Sequence, residues 1–145
     1  MGPWVWSMGE RVIVLLSGRS LFCHGLSVQL GLMNRPAASV PLSSSIPLIA
    51  KTLHRLQPDV LIIDALELRS AGFFFLDALR QDPAIAACPI LVVASGSFPD
   101  GERFCAAAEK RGLHVLLEAA SFEDLVARVT EIVDRQILKV ESLVG

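Results

Sequence analysis

The sequence has no excess of basic charge. Thirteen Lys and Arg stand against fifteen Asp and Glu, giving a formal net charge of -2. The basic residues are mostly arginine and are scattered along the chain, so no positive field points to a nucleic-acid partner. No run of 18 apolar residues is present, which removes a membrane-spanning helix from consideration. The first residues lack the basic and apolar regions of a signal peptide, and Trp6 stands where a myristoylation signal needs Ser or Thr. A cytoplasmic protein is expected. Cys23, Cys88 and Cys105 form no CxxC pair, so neither a zinc site nor a disulfide framework is indicated, and small buried hydrophobes are expected instead.

Apolar residues, by contrast, are plentiful. They make up 52% of the 145 residues, and the mean hydropathy is +0.54. That richness suits a sheet covered on both faces, whose strands are continuously apolar rather than alternating. The length fits one domain with a substantial core.

Residues 1–10, with two tryptophans, read as an N-terminal arm. Val12 to Leu16 is the first strand, broken by Ser17-Gly18-Arg19-Ser20. The spacing of Phe22, Leu26 and Leu30 predicts a helix over Leu21 to Gly31, in a stretch from Ser20 to Asn34 without formal charge. The Pro- and Ser-rich segment after Asn34 allows a short edge strand at Ala38 to Val40. A helix follows over Ile46 to Leu56, with Ser45 as N-cap and Pro47 in its first turn. Val60 to Ile63 is the third strand, and Gly72 to Arg80 is a helix with Phe73, Leu76 and Leu79 inward. Gln81 to Pro89 reads as a loop. Pro89 to Ala94 is the fourth strand, ending in Ser95-Gly96-Ser97. A helix over Asp100 to Arg111 turns Phe104, Cys105 and Ala108 inward and stops at Gly112. Val115 to Leu117 is a short fifth strand. Ser121 caps a last helix, whose apolar face carries Phe122, Leu125, Val126, Val129, Ile132 and Val133. Asp124–Arg128 and Glu131–Arg135 pair along its wet side.

Strands and helices therefore alternate five times. The expected fold class is α/β: a doubly wound, five-stranded parallel sheet, flavodoxin-like, in one domain over residues 11–135. Residues 136–145 form a helical extension or a linker. The switch point of such a sheet brings Leu16-Ser17 beside Asp64, which ends the third strand in the stretch PDVLIIDALELRSAG.

That stretch carries a resemblance. PDVLIIDALELRSAGFFFLDALRQDP followed by CPILVVASGS is similar to response-regulator receiver domains, the CheY-like phosphoacceptor modules of two-component signalling. Asp64, Gly72, Arg80, Asp82 and Pro83 keep the family's spacing. The resemblance implies that Asp64 holds the phosphoacceptor position and Ser95 the phosphoryl-contact position. It also implies an atypical member. The paired carboxylates that hold magnesium in the family correspond to Leu16 and Ser17, a hydrocarbon and a hydroxyl where octahedral oxygen ligation is wanted. The family's lysine after strand 5 corresponds to Ala119, or to Glu118 after a one-residue slip, and its following proline to Ala120. Leu68 stands for the proline four residues after the phosphoacceptor, and Leu116 for the strand 5 aromatic.

The other candidates point to ordinary structure. Arg19 is a candidate cationic partner for Asp64, and Glu67 a solvated loop charge. Ser17-Gly18-Arg19-Ser20 matches no nucleotide-binding pattern, and Ser95-Gly96-Ser97 is not a nucleophile elbow. His24, His54 and His114 accompany no nucleophile. Phe73-Phe74-Phe75 reads as core with one exposed ring. The expectation is a non-enzymatic receiver-type module without a cofactor, working by protein interaction. It would bind a histidine kinase, a downstream regulator or a second copy through the face of helix 4, strand 5 and helix 5. Nucleic acid and membrane are not expected partners. The alternative is a working phosphoacceptor, phosphorylated on Asp64 by a histidine kinase with Mg²⁺. A small flavodoxin-like ligand binder is a third reading.

Overall fold

A computed structural model describes residues 12–17, 20–41, 45–65, 73–95, 100–119 and 121–144; the side chains of 20–23, 41, 84, 94–95, 117–119 and 136–144 fall outside that description. In chain order the elements are β1 (Ile13–Ser17), α1 (Ser20–Leu32), β2 (Ala37–Pro41), α2 (Ile46–Leu56) and β3 (Val60–Asp64). They continue with α3 (Phe74–Leu79), α4 (Pro83–Ala86), β4 (Ile90–Ser95), α5 (Gly101–Lys110), β5 (His114–Ala119) and α6 (Phe122–Val144).

The strands form one five-stranded sheet in the order β2-β1-β3-β4-β5. Every neighbouring pair is parallel. This is the flavodoxin-like α/β sheet expected from the alternation. Its direction of travel reverses once, after β2, and right-handed crossovers then force the helices onto different faces. Leu26 and Leu30 of α1 join Leu125, Val126, Val129 and Val133 of α6 on one side. Ile49 and Leu53 of α2, Phe75, Leu76 and Leu79 of α3, and Ala108 of α5 fill the other. Successive residues of the inner strands alternate between the two cores. Ile13, Leu15, Val60 and Ile62 face α1 and α6, whereas Val14, Leu16, Leu61 and Ile63 face α2, α3 and α5. Both sides of β1 and β3 are thus apolar, and each strand is buried along its whole length.

Polar contacts hold the start of this strand pair. The Val12 N–H donates to Asp59 Oδ2 at 2.8 Å, while the Asp59 N–H donates to the Val12 carbonyl at 2.8 Å. On the α6 side, Gly25 lets α1 approach Phe122, because a Cβ there would lie 3.3 Å from the ring. The Ser121 hydroxyl caps α6 by accepting the Asp124 N–H at 3.0 Å. Both expected i,i+4 ion pairs form along α6. On the opposite side, Phe73 stacks on Phe104 of α5 with centroids 5.5 Å apart, and the Arg111 guanidinium sits 4.5 Å from the Phe73 ring centre.

Several sequence expectations need correction. The segment expected as a loop before β4 contains α4, a single turn opening on Pro83 and holding buried Ile85. Within the described residues α3 starts at Phe74, and Phe75, rather than Phe73, is its buried ring, because Phe73 is drawn into the stack at the rim. Ser45 does occupy the N-cap position of α2, but its hydroxyl makes no capping bond; its carbonyl accepts the Ile49 N–H at 3.0 Å. β5 is longer than expected, running His114–Ala119. Phe104 and Cys105 are half-buried, leaving Ala108 as the buried residue of α5. Gly112 does take the left-handed conformation, with φ +74°. No helix among the described residues is long and apolar enough to cross a membrane.

Candidate functional site

The strand order places the carboxyl ends of β1 and β3 side by side at the point where the sheet changes direction, the place where ligands enter open α/β sheets. The register pairs Leu16 with Ile63, so Ser17 and Asp64 are the next residues along each strand. The Ser17 hydroxyl donates to Asp64 Oδ2 at 3.1 Å, and the bond is buried. Only 1% of Asp64 is exposed. A buried carboxylate needs hydrogen-bond donors to replace water. Ser17 supplies one, and both residues have further interactions.

Leu16 points the other way. It is fully buried among Val14, Leu61, Ile63 and Val92 in the core under α2, α3 and α5. It offers no oxygen and leaves no polar space. The pair expected at the acidic positions is therefore split between two roles, a core hydrophobe and a donor to Asp64.

At the next strands, Asp64 pairs in register with Val93 of β4. Ser95 follows two residues later and pairs with Ala119 of β5, across a register shift between Val93 and Ser95. The backbone thus brings Asp64, Ser95 and Ala119 to one end of the sheet. Arg19, Glu67, Leu68, Gly72, Gly96, Ser97 and Ala120 lie outside the described residues.

Magnesium demands near-octahedral oxygen ligation. Among the described residues no group of three His, Cys, Asp or Glu side chains is placed to hold a metal ion. At this site they contribute one carboxylate and one hydroxyl, with the hydroxyl already hydrogen-bonded to the carboxylate. That set does not fit the ion.

Cys88 and Cys105 stay out of the site. Burial pushes the Cys88 thiol up to about 11, with Asp59 adding to the rise and Arg80 opposing it. Its Sγ lies 3.5 Å from the Pro58 carbonyl. Cys105 is half-buried on α5, at the far side of the sheet from α1. His54 Nδ1 lies 3.1 Å from both carboxylate oxygens of Asp82, which ties α2 to the turn before α4. Sequence reasoning missed this link and the Val12–Asp59 contact. Both join residues far apart in the chain, and nothing in local patterning marks such pairs.

No protein-family model matches the sequence, and no curated protein matches it. Solved structures do match in shape. A response regulator from Desulfuromonas acetoxidans aligns with TM-score 0.65 and 15% identity, over 86% of this chain and 98% of that one. The chemotaxis protein CheY4 of Vibrio cholerae aligns with TM-score 0.63 and 15% identity, over 85% and 98%. A Burkholderia thailandensis protein assigned to pilus assembly, CpaE, aligns with TM-score 0.61 and 17% identity, over 88% and 98%. With the strand order, the two-sided helix cover and the carboxylate ending β3, these likenesses identify the fold: the chain has the CheY-like fold of response-regulator receiver domains.

Proposed function

We propose that this chain is a regulatory interaction module on a receiver scaffold, with Asp64 kept as a structural carboxylate rather than as a phosphorylation site. The observation that carries the reading is the buried Ser17–Asp64 hydrogen bond beside a core-packed Leu16. Phosphoryl transfer relies on positioning and on compensating the charge of the phosphoryl oxygens. A leucine directed into the core cannot ligate a cation, and a serine bound to the acceptor carboxylate holds it from the side where metal ligands would stand. Ala119, at the position of the family lysine, carries no charge to meet a phosphoryl oxygen.

On this reading the protein is not an enzyme, needs no cofactor and acts in the cytoplasm. It binds a signalling protein through the face formed by α5, β5 and α6. Its output depends on whether the partner is bound rather than on a phosphorylation cycle.

Incubation with Mg²⁺ and acetyl phosphate, followed by intact-mass measurement, tests the reading. Wild type and Asp64→Asn are expected to keep identical masses apart from the substitution. A phosphoryl group gained by wild type and not by Asp64→Asn establishes the alternative, a working phosphoacceptor at Asp64.

A further inference from the structure

Phe74 is the ring that neither the core nor the aromatic stack absorbs. Phe73 and Asp77 turn toward α5, through the Phe104 stack and the Arg111–Asp77 ion pair at 3.5 Å. Phe75, Leu76 and Leu79 are buried. Successive helix residues stand about 100° apart, so Phe74 points outward. At 75% exposure it is the most exposed large hydrophobic side chain among the described residues. The next helix on this side of the sheet is α2, tied to the turn after α3 by His54 and Asp82. Both helices follow parallel strands and run back against them, so their first turns lie at the same end of the layer, where Asp64 closes β3. Leu48, in the first turn of α2, is 56% exposed, and Pro47 beside it is exposed too.

Helix α2 differs from the other helices in charge. It holds Lys51, His54 and Arg55 and no Asp or Glu, whereas α5 and α6 mix both signs and α1, α3 and α4 have no Lys or Arg. Leu48, Lys51 and Arg55 follow one another at spacings of three and four along its outer side. All three are exposed, opposite the buried Ile49 and Leu53. Neither Lys51 nor Arg55 enters an ion pair among the described residues. The acids nearby are engaged elsewhere. Asp82 faces His54 Nδ1 at 3.1 Å, Asp77 pairs with Arg111, and Asp59 accepts the Val12 N–H. Arg80 donates to the Ala86 carbonyl. Glu67 and Arg69, of opposite charge, lie outside the described residues. Arg55, in the last turn, also suits the carbonyl end of the helix dipole. Lys51, in the middle of the helix, gains nothing from it.

We propose that the outer side of α2, flanked by Phe74, is a docking surface for an acidic amphipathic segment of another protein. Charge selects the occupant. The two cations stand one turn apart, about 6 Å along the axis, and match carboxylates four residues apart on a partner helix. Pro47, Leu48 and Phe74 offer that helix apolar contact. A second copy is disfavoured, because a two-fold contact through this face sets the same unpaired cations against each other. An anionic membrane surface calls for clusters of roughly four to eight Lys or Arg, and a nucleic acid for a row of cations along its phosphates. Two cations meet neither need. The surface is separate from the face of α5, β5 and α6, and the inference is independent of the role of Asp64.

An NMR titration of the ¹⁵N-labelled chain tests it. The probe is a blocked synthetic helix of about 16 residues, with Glu residues four apart and Leu on the adjoining row. Saturable amide shifts on α2 and around Phe74 are expected below about 1 mM peptide, and added salt is expected to weaken them. Lys51→Glu combined with Arg55→Glu is expected to lower affinity by about tenfold or more, and to let the protein bind the same peptide with Lys in place of Glu. Phe74→Ala is expected to lower affinity by about threefold or more. These positions are exposed, and an unchanged circular dichroism spectrum checks the fold of each variant. Absence of saturable shifts overturns the proposal, as do shifts centred away from α2 or a double variant that binds the acidic peptide as wild type does. A DNA duplex or phosphatidylglycerol vesicles that bind wild type more tightly than the peptide also overturn it.

Discussion

Replacing Ser17 by alanine removes one hydroxyl and leaves the Asp64 carboxylate buried with one donor fewer. The bond spans 3.1 Å and is shielded from solvent. Hydrogen bonds to charged groups contribute about 1.5–3 kcal/mol. Asp64 keeps further contacts, so the lower half of that range is expected, about 1.5–2 kcal/mol. For a domain of this size that lowers Tm by roughly 3–8 °C. The Asp64→Asn variant gives the reference background. The amide keeps the shape and still accepts from Ser17, but the bond becomes neutral and is worth about 0.5–1.5 kcal/mol. Ser17→Ala is therefore expected to destabilise the Asp64→Asn variant by about 1 kcal/mol less than it destabilises wild type. Urea unfolding at pH 7, followed by far-UV circular dichroism on the four proteins of the cycle, gives the coupling directly. A Ser17→Ala penalty equal in the two backgrounds within about 0.3 kcal/mol refutes the reasoning. It would mean that the hydroxyl does not serve the carboxylate.

Other consequences are accessible to simple measurements. The Cys88 thiol, raised to about 11 from an ordinary value of 9.0, stays protonated in the folded state at pH 8 and reacts with iodoacetamide only after unfolding. Because the folded value is the higher one, Cys88 stabilises the fold below about pH 9 and loses that contribution as pH rises toward 11. Cys88→Ala should flatten that part of the stability–pH curve. Gly31 sits in a helix with open space at its Cβ position, so Gly31→Ala should stabilise by about 0.5–1 kcal/mol. Gly112 has φ +74°, and Gly112→Ala should destabilise by about 1–2 kcal/mol although its surroundings are equally open. Thermal melts of the two variants, moving in opposite directions, check both.

The sheet was legible because its inner strands are buried on both faces and so appear as uninterrupted apolar runs. Val60 to Ile63 and Pro89 to Ala94 announce themselves that way. Ser121 and Gly112 were legible because capping and left-handed turns have local chemistry. Helix α4 was not, since one turn with a single buried residue, Ile85, has no period to detect. The outer face of α1 was only half legible. The stretch free of charge was evident, but the inward row of Leu26 and Leu30 accounts for one side of it alone. At the site, the adjacency of Ser17 and Asp64 followed from the switch-point rule. The contacts that hold those strands at their other end did not, because Asp59 looks like any exposed acid before a strand.

Those two contacts solve a problem that the uniform core creates. In a strand with one wet face, a slip of one residue turns apolar side chains to water, so the pattern itself enforces alignment. β1 and β3 have no wet face, and Leu15, Leu16, Ile62 and Ile63 are nearly interchangeable in hydrophobicity. Apolar burial alone discriminates weakly against sliding one strand along the other. The Val12–Asp59 and Ser17–Asp64 hydrogen bonds both span 47 positions in the chain, the same offset as the Ile13–Val60 pairing. They act as two alignment pins, one at each end of an otherwise featureless apolar rail. A single-residue slip in either direction breaks both together, and in one direction it sets Leu16 against the buried carboxylate.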